Sequence, residues 1–135
     1  MDAQLKDKLA LVTGSTGGIG LAMPSANSVI AKNLAQEGAS VIVNGRSQES
    51  VDKAISEIDS KASKAKGLVA DLSSTTGIEQ AVAQYSQLDI LINNLGIYKA
   101  KPFAEITDED WQNMFNINVM SGIRLCRTYQ KAFSR

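Results

Sequence analysis

No histidine occurs among the 135 residues. A Ser-His-Asp triad, a Cys-His pair and histidine-ligated zinc are excluded by that absence, so acid–base chemistry must fall to another residue type. Cysteine occurs once, which rules out an internal disulfide and any multi-cysteine metal site. Cys126 falls on an apolar helical face, a setting that predicts a packed thiol rather than a nucleophile. An excess of one charge is also lacking: 14 Lys and Arg against 14 Asp and Glu leave no basic stripe for nucleic acid or an anionic membrane. No apolar run is long enough to cross a bilayer, and Asp2, Lys6, Asp7 and Lys8 ahead of a short apolar stretch do not make a signal peptide. The expectation is a soluble, cytoplasmic protein with no nucleic-acid, membrane or metal partner. With only two prolines, no repeats and no Pro/Ser-rich linker, residues 1–135 read as one domain, and 44% hydrophobic content is ordinary for a chain that buries a core.

What the chain does have is an apolar run, Leu9-Ala10-Leu11-Val12, feeding into Thr13-Gly14-Ser15-Thr16-Gly17-Gly18-Ile19-Gly20. A strand that ends in clustered glycines reads as a nucleotide-binding turn. Glycine admits positive φ and lets main-chain N–H groups approach a ligand, and a following helix turns its positive dipole end toward phosphate. The Gly-x-x-x-Gly-x-Gly spacing differs from the G-x-G-x-x-G fingerprint and lacks the Gly-Lys-Ser/Thr ending of a phosphate-loop NTPase. A loop that holds no ligand is the alternative reading of the same glycines.

Strands and helices alternate beyond that turn. A helical stretch runs to Gln36-Glu37-Gly38, and Ser40-Val41-Ile42-Val43-Asn44 reads as a buried strand. Ser47 can cap a helix with apolar Val51, Ala54, Ile55, Ile58 and Ala62, and Gly67-Leu68-Val69-Ala70 is a third strand. Ile78, Ala81, Val82 and Tyr85 mark another helix, and Asp89-Ile90-Leu91-Ile92-Asn93 a fourth strand. A last long helix begins near Thr107, in a capping box with Asp110. The predicted class is α/β: a Rossmann-like, doubly wound parallel sheet of about four strands, helices on both faces and ligands at the strands' carboxyl ends.

One segment breaks the pattern. Met23-Pro24-Ser25-Ala26-Asn27-Ser28-Val29 lies inside the helix expected after the glycine turn, and a proline there costs roughly 3 kcal/mol. Without residues 23–29, Gly20-Leu21-Ala22 would join Ile30 onward in one amphipathic helix, so the segment reads as an insertion.

Thr13-Gly14-x-x-x-Gly18-Ile19-Gly20, the strand-end Asp71-Leu72, Asn93-Asn94-Leu95-Gly96 and Ile117-Asn118-Val119 together resemble the classical short-chain dehydrogenase/reductase family in order and spacing. The match corresponds to the family's N-terminal cofactor-binding half; Leu95 departs from its usual Ala. The resemblance implies that the turn holds a cofactor pyrophosphate through Gly14, Ser15, Thr16, Gly18, Ile19 and Gly20. It implies that Asp71 and Leu72 border the adenine, that Asn93 borders the ribose and that Asn94 braces the sheet. Asp71 as a helix cap, and both asparagines as turn residues, are the plainer alternatives. Asn44-Gly45-Arg46-Ser47 ends the second strand with no acidic residue for a ribose 2′-hydroxyl, whereas Arg46 suits a 2′-phosphate, so NADP(H) is favoured over NAD(H). Gly17 stands where many NADP-preferring relatives carry a basic residue. Asn118, three residues after Phe115 and seven after Trp111, shares their helical face. By resemblance it is the Asn of the family's Asn-Ser-Tyr-Lys set, which holds a water in the proton relay; a core Asn bonded to backbone is the compatible alternative.

The family's acid–base Tyr works with a Lys four residues on, whose charge lowers the phenol's pKa. Here Tyr85, Tyr98 and Tyr129 are followed at that spacing by Asp89, Pro102 and Phe133. The expectation is an NADP(H)-dependent oxidoreductase sequence, interconverting an alcohol and a carbonyl of a small molecule, whose catalytic Ser and Tyr-Lys lie outside these residues. The alternative is a non-catalytic dinucleotide-binding or partner-binding module. A homo-oligomer through the Trp111 to Tyr129 helix is implied by the resemblance. Aggregation, or dependence on a complementing fragment, is expected from an open sheet edge at the fourth strand.

Overall fold

Leu9–Val12 forms β1 and Ser40–Gly45 forms β2, each an apolar run without polar alternation. Such strands are stable only where both faces are covered, and Ala10 to Val12 and Val41 to Val43 are fully buried. In the computed structural model, which describes residues 4–16, 26–58 and 64–133, β3 (Lys64–Val69) and β4 (Ile90–Ile92) complete a parallel sheet in the order β3-β2-β1-β4.

Between the strands run α1 (Ala26–Gln36), α2 (Gln48–Ile58) and α3 (Thr75–Gln84), and beyond β4 come α4 (Asp108–Phe115) and α5 (Ser121–Phe133). Successive strand residues feed opposite faces. Val12, Val41 and Val43 pack with Ala31 and Ala35 of α1 and Val51, Ala54 and Ile58 of α2. Leu11, Ile42 and Leu68 pack with Ile78 and Ala81 of α3 and Leu125 and Tyr129 of α5. The sheet is thus doubly wound.

Local chemistry fixes the element ends. Gly38 takes φ +94 after α1, and the bonds Gly38 N–H to Ala35 O and Ala39 N–H to Leu34 O close a Schellman-type stop. Ser47 Oγ accepts from Ser50 N at 3.2 Å and caps α2, and Ser74 Oγ accepts from Gly77 N at 3.0 Å and caps α3. Thr107 and Asp110 form the capping box expected at α4.

Two expectations change. β3 spans Lys64–Val69 rather than 67–70, because it continues its register with β2 from Ser40 opposite Lys64. The last helix is not continuous: a π-helical turn over Asn116–Met120 separates α4 from α5 and adds one residue to the helical phase. Within the segment 23–29, residues 26–29 are already helical in α1; Pro24 lies outside the described residues.

Candidate functional site

The chain passes from β1 to β2 and β3 on one side, then returns to place β4 on β1's other side. The carboxyl ends of β1 and β4 therefore flank a topological switch point, where open α/β sheets leave a crevice for ligand. Thr13 and Asn94 close its floor. The buried Thr13 Oγ1 accepts from Asn94 N at 2.9 Å and Leu95 N at 3.0 Å, and Asn94 Nδ2 donates to Thr13 O at 3.2 Å. Asn94 thus braces the sheet.

Gly14 follows with φ +60, the left-handed conformation glycine adopts without penalty. A Cβ there would lie 3.2 Å from the Leu95 main chain and 3.3 Å from its Cδ1, so only glycine admits this approach between the two strand ends. Ser15, 1% exposed, turns its hydroxyl to the main chain of Asn44; what it can offer a ligand is backbone. Thr16 lies over Gly45, where a Cβ would strike its side chain. Gly18, Ile19 and Gly20 lie outside the described residues.

Along the same edge of the sheet, Arg46 follows β2. Its side chain is exposed and forms no hydrogen bond or ion pair among the described residues. After β3, exposed Asp71 accepts from Ser73 N at 3.0 Å and Ser73 Oγ at 2.6 Å, and its carbonyl receives Ser74 Oγ at 2.8 Å. The carboxylate organises the loop into α3. Leu72 is buried in the core with Leu68, Ile78 and Leu125, so its side chain lies beneath the edge rather than along it.

Asn93 is exposed and donates to Cys126 Sγ at 3.1 Å. Cys126 is itself exposed, contrary to the packed thiol expected: α5 meets the core through Ser121, Leu125 and Tyr129, and Cys126 falls on the flank of that line. Asn118 sits in the π-turn and clasps one residue from both ends, accepting from Ile97 N at 2.6 Å and donating to Ile97 O at 2.9 Å. The extra residue of the turn takes it out of the simple helical phase with Trp111 and Phe115, and its amide secures the segment leaving β4.

Tyr85 and Tyr129 offer no base at neutral pH. Tyr85 donates to Gly67 O and Tyr129 to Tyr85 O, each at 2.8 Å, and burial pushes both pKa values up. Among the described residues, no three His, Cys, Asp or Glu side chains gather to hold a metal, and no helix is long and apolar enough to cross a membrane. The sequence signal missed Asn44, whose only mark was a polar residue ending an apolar strand.

The fold is that of a Rossmann-type α/β domain, with the candidate site at the carboxyl edge of its sheet. Residues 8–135 match the short chain dehydrogenase family, and the chain belongs to it. It is similar to the uncharacterized oxidoreductase YvrD of Bacillus subtilis, with 47% identity over 132 residues, covering 96% of this chain and 47% of that protein. Gluconate 5-dehydrogenase of Gluconobacter oxydans is 39% identical over 114 residues, 82% of this chain and 42% of the relative. The crystal structure of L-sorbose reductase from Gluconobacter frateurii, complexed with NADPH and L-sorbose, superposes with a TM-score of 0.84 at 26% identity, covering 98% of this chain and 50% of that one. The chain spans about half the length of the curated relatives it matches.

Proposed function

We propose that this chain binds NADP(H) along the carboxyl edge of its sheet, as part of an oxidoreductase that interconverts an alcohol and a carbonyl of a small molecule. The observation that carries the reading is the Thr13–Asn94 clasp, which holds the left-handed Gly14 at the switch point. These residues support such a cofactor: the main chain at Ser15 and Thr16 for the pyrophosphate, with Gly14 allowing its close approach, the Asp71 loop for the adenine, Asn93 for the ribose, and Arg46, exposed and without an ion pair among the described residues, for a 2′-phosphate. Gly18, Ile19 and Gly20 complete the pyrophosphate turn in this proposal. When bound, the nicotinamide supplies or accepts the hydride. The chain's own share is to bind and orient; Asn118 supports the proton relay by fixing the segment after β4.

The preference for NADP(H) over NAD(H) rests on Arg46 and on the absence of an acidic residue at the end of β2. The NADPH in the sorbose reductase structure agrees with it. These 135 residues alone are expected to transfer no hydride, since none of the three tyrosines is followed by lysine at the fourth position. A cytoplasmic setting belongs to the same proposal, as does a homo-oligomer through α4 and α5, supported by exposed Trp111, Phe115, Val119 and Ile123.

Fluorescence titration with NADPH and NADH tests it. Arg46→Ala should weaken NADPH binding by about tenfold or more, the scale of one charge-assisted contact, and leave NADH within about twofold. Equal losses for both cofactors would remove Arg46 from the 2′-phosphate site.

A further inference from the structure

We propose that Asn44, acting with Ser15, is the positioning residue of the glycine turn and sets its affinity for a dinucleotide. The inference rests on the dinucleotide-binding reading above. Asn44 follows three fully buried apolar residues of β2 and is itself 2% exposed. A carboxamide there is tolerable only with every polar atom paired. Its Oδ1 accepts from Gly14 N at 3.0 Å, and its Nδ2 donates to Leu68 O at 3.2 Å and Ala70 O at 3.0 Å. Its main-chain N–H donates to Ser15 Oγ at 2.8 Å, and that hydroxyl lies 3.4 Å from Asn44 O.

One side chain thereby ties the turn after β1 to the ends of β2 and β3. Gly14 is free to adopt many backbone conformations, and the bond from its N–H to Asn44 Oδ1 selects one. The ordering cost at Gly14 and Ser15 is then met on folding rather than on binding, which raises affinity.

Aspartic acid has nearly the same shape as asparagine and makes the role testable. Protonated, it accepts from Gly14 N with one oxygen and donates from the other toward Ala70 O. Ionised, it has no proton to donate and faces two carbonyl oxygens. All of Asn44's hydrogen-bond partners are uncharged, and the charged residues flanking these strand ends, Arg46 and Asp71, are exposed. Burial among such partners raises the pKa of an introduced carboxyl.

NADPH is titrated into the full-length protein with and without Asn44→Asp, and the ratio of affinities is taken at each pH so that the cofactor's own titration cancels. The ratio should stay within about threefold at about pH 5.5 and reach about tenfold or more near pH 8. A ratio that stays near one over this whole range overturns the positioning role. Amide exchange at Gly14 without ligand reads the same bond independently, and should quicken relative to the unsubstituted protein by about tenfold near pH 8 only. Unchanged exchange counts against the proposal even if NADPH fails to bind, an outcome that instead removes the dinucleotide reading. If Asn44→Asp unfolds near pH 8, Ser15→Ala decides: about fivefold weaker NADPH binding with an unchanged circular dichroism spectrum supports the role, and unchanged affinity overturns it.

Discussion

Gly77 shows how much one missing side chain can matter. It lies in the first turn of α3, where a Cβ would run into the carbonyl group of Asp71. At Gly67 the clash would fall instead on Val51 Cγ1 at 2.6 Å, a side-chain atom that can move aside. Alanine improves helix propensity by up to about 1 kcal/mol, but a main-chain clash has no rotamer to relieve it and costs about 1–3 kcal/mol. Gly77→Ala should therefore be destabilising on balance, with the loop at Asp71 displaced; denaturant unfolding of the two proteins measures it. At this scale the sequence disclosed residues whose meaning is local, such as Ser47, Thr107 and Asp110. It was nearly silent on Asn44, because Gly14, Leu68 and Ala70 meet it only after the strands align.

Elements with a one-sided apolar pattern were legible, since periodicity follows directly from burial. β3 was less so: it is an edge strand with Lys64 and Lys66 in its ladder, and charge at an edge disguises a strand. The π-turn was hidden for another reason. It leaves the apolar spacing of Trp111, Phe115, Val119 and Ile123 intact while displacing Asn118 toward Ile97. The start of α4 carries its own pH dependence. The Lys101 ammonium, 2.6 Å from Asp110 Oδ2, and the Thr107 N–H hold the Asp110 carboxyl at about 2, below its usual 3.8. A depressed carboxyl adds stability above its unfolded-state value and loses it as pH falls through the folded one. The stability difference between the protein and Asp110→Asn should thus be constant above about pH 4 and shrink from there toward about pH 2, which thermal melts across that range will record.

At the scale of the molecule, α5 has two apolar sides. One meets the sheet through Leu125 and Tyr129; the other continues the exposed line of Trp111, at 52%, and Phe115, at 55%, into Val119 and Ile123. In the proposed homo-oligomer this line is the association surface. Phe115→Glu with Ile123→Glu should lower the apparent mass in sedimentation velocity and leave circular dichroism unchanged, whereas an unaltered mass would remove α4 and α5 from the interface. The alternation of strands and helices, readable from the sequence, was enough to foresee the parallel sheet and which strand ends share its carboxyl edge. The side-chain bonds that shape this edge join residues distant in sequence and emerged only from the three-dimensional arrangement.

The place of β4 beside β1 also bears on when the site comes into being. Leu9 N bonds Asp89 Oδ2 across 80 residues, and Asn94 N bonds Thr13 Oγ1 across 81. Closing so long a loop is slow, because its entropy must be lost before any contact repays it. The β1–β2 and β2–β3 pairings span far shorter separations and can form while β4 is still unplaced. For the proposed cofactor site this makes capture late in folding: in refolding experiments, NADPH fluorescence should appear with the last kinetic phase, after most helical signal has returned.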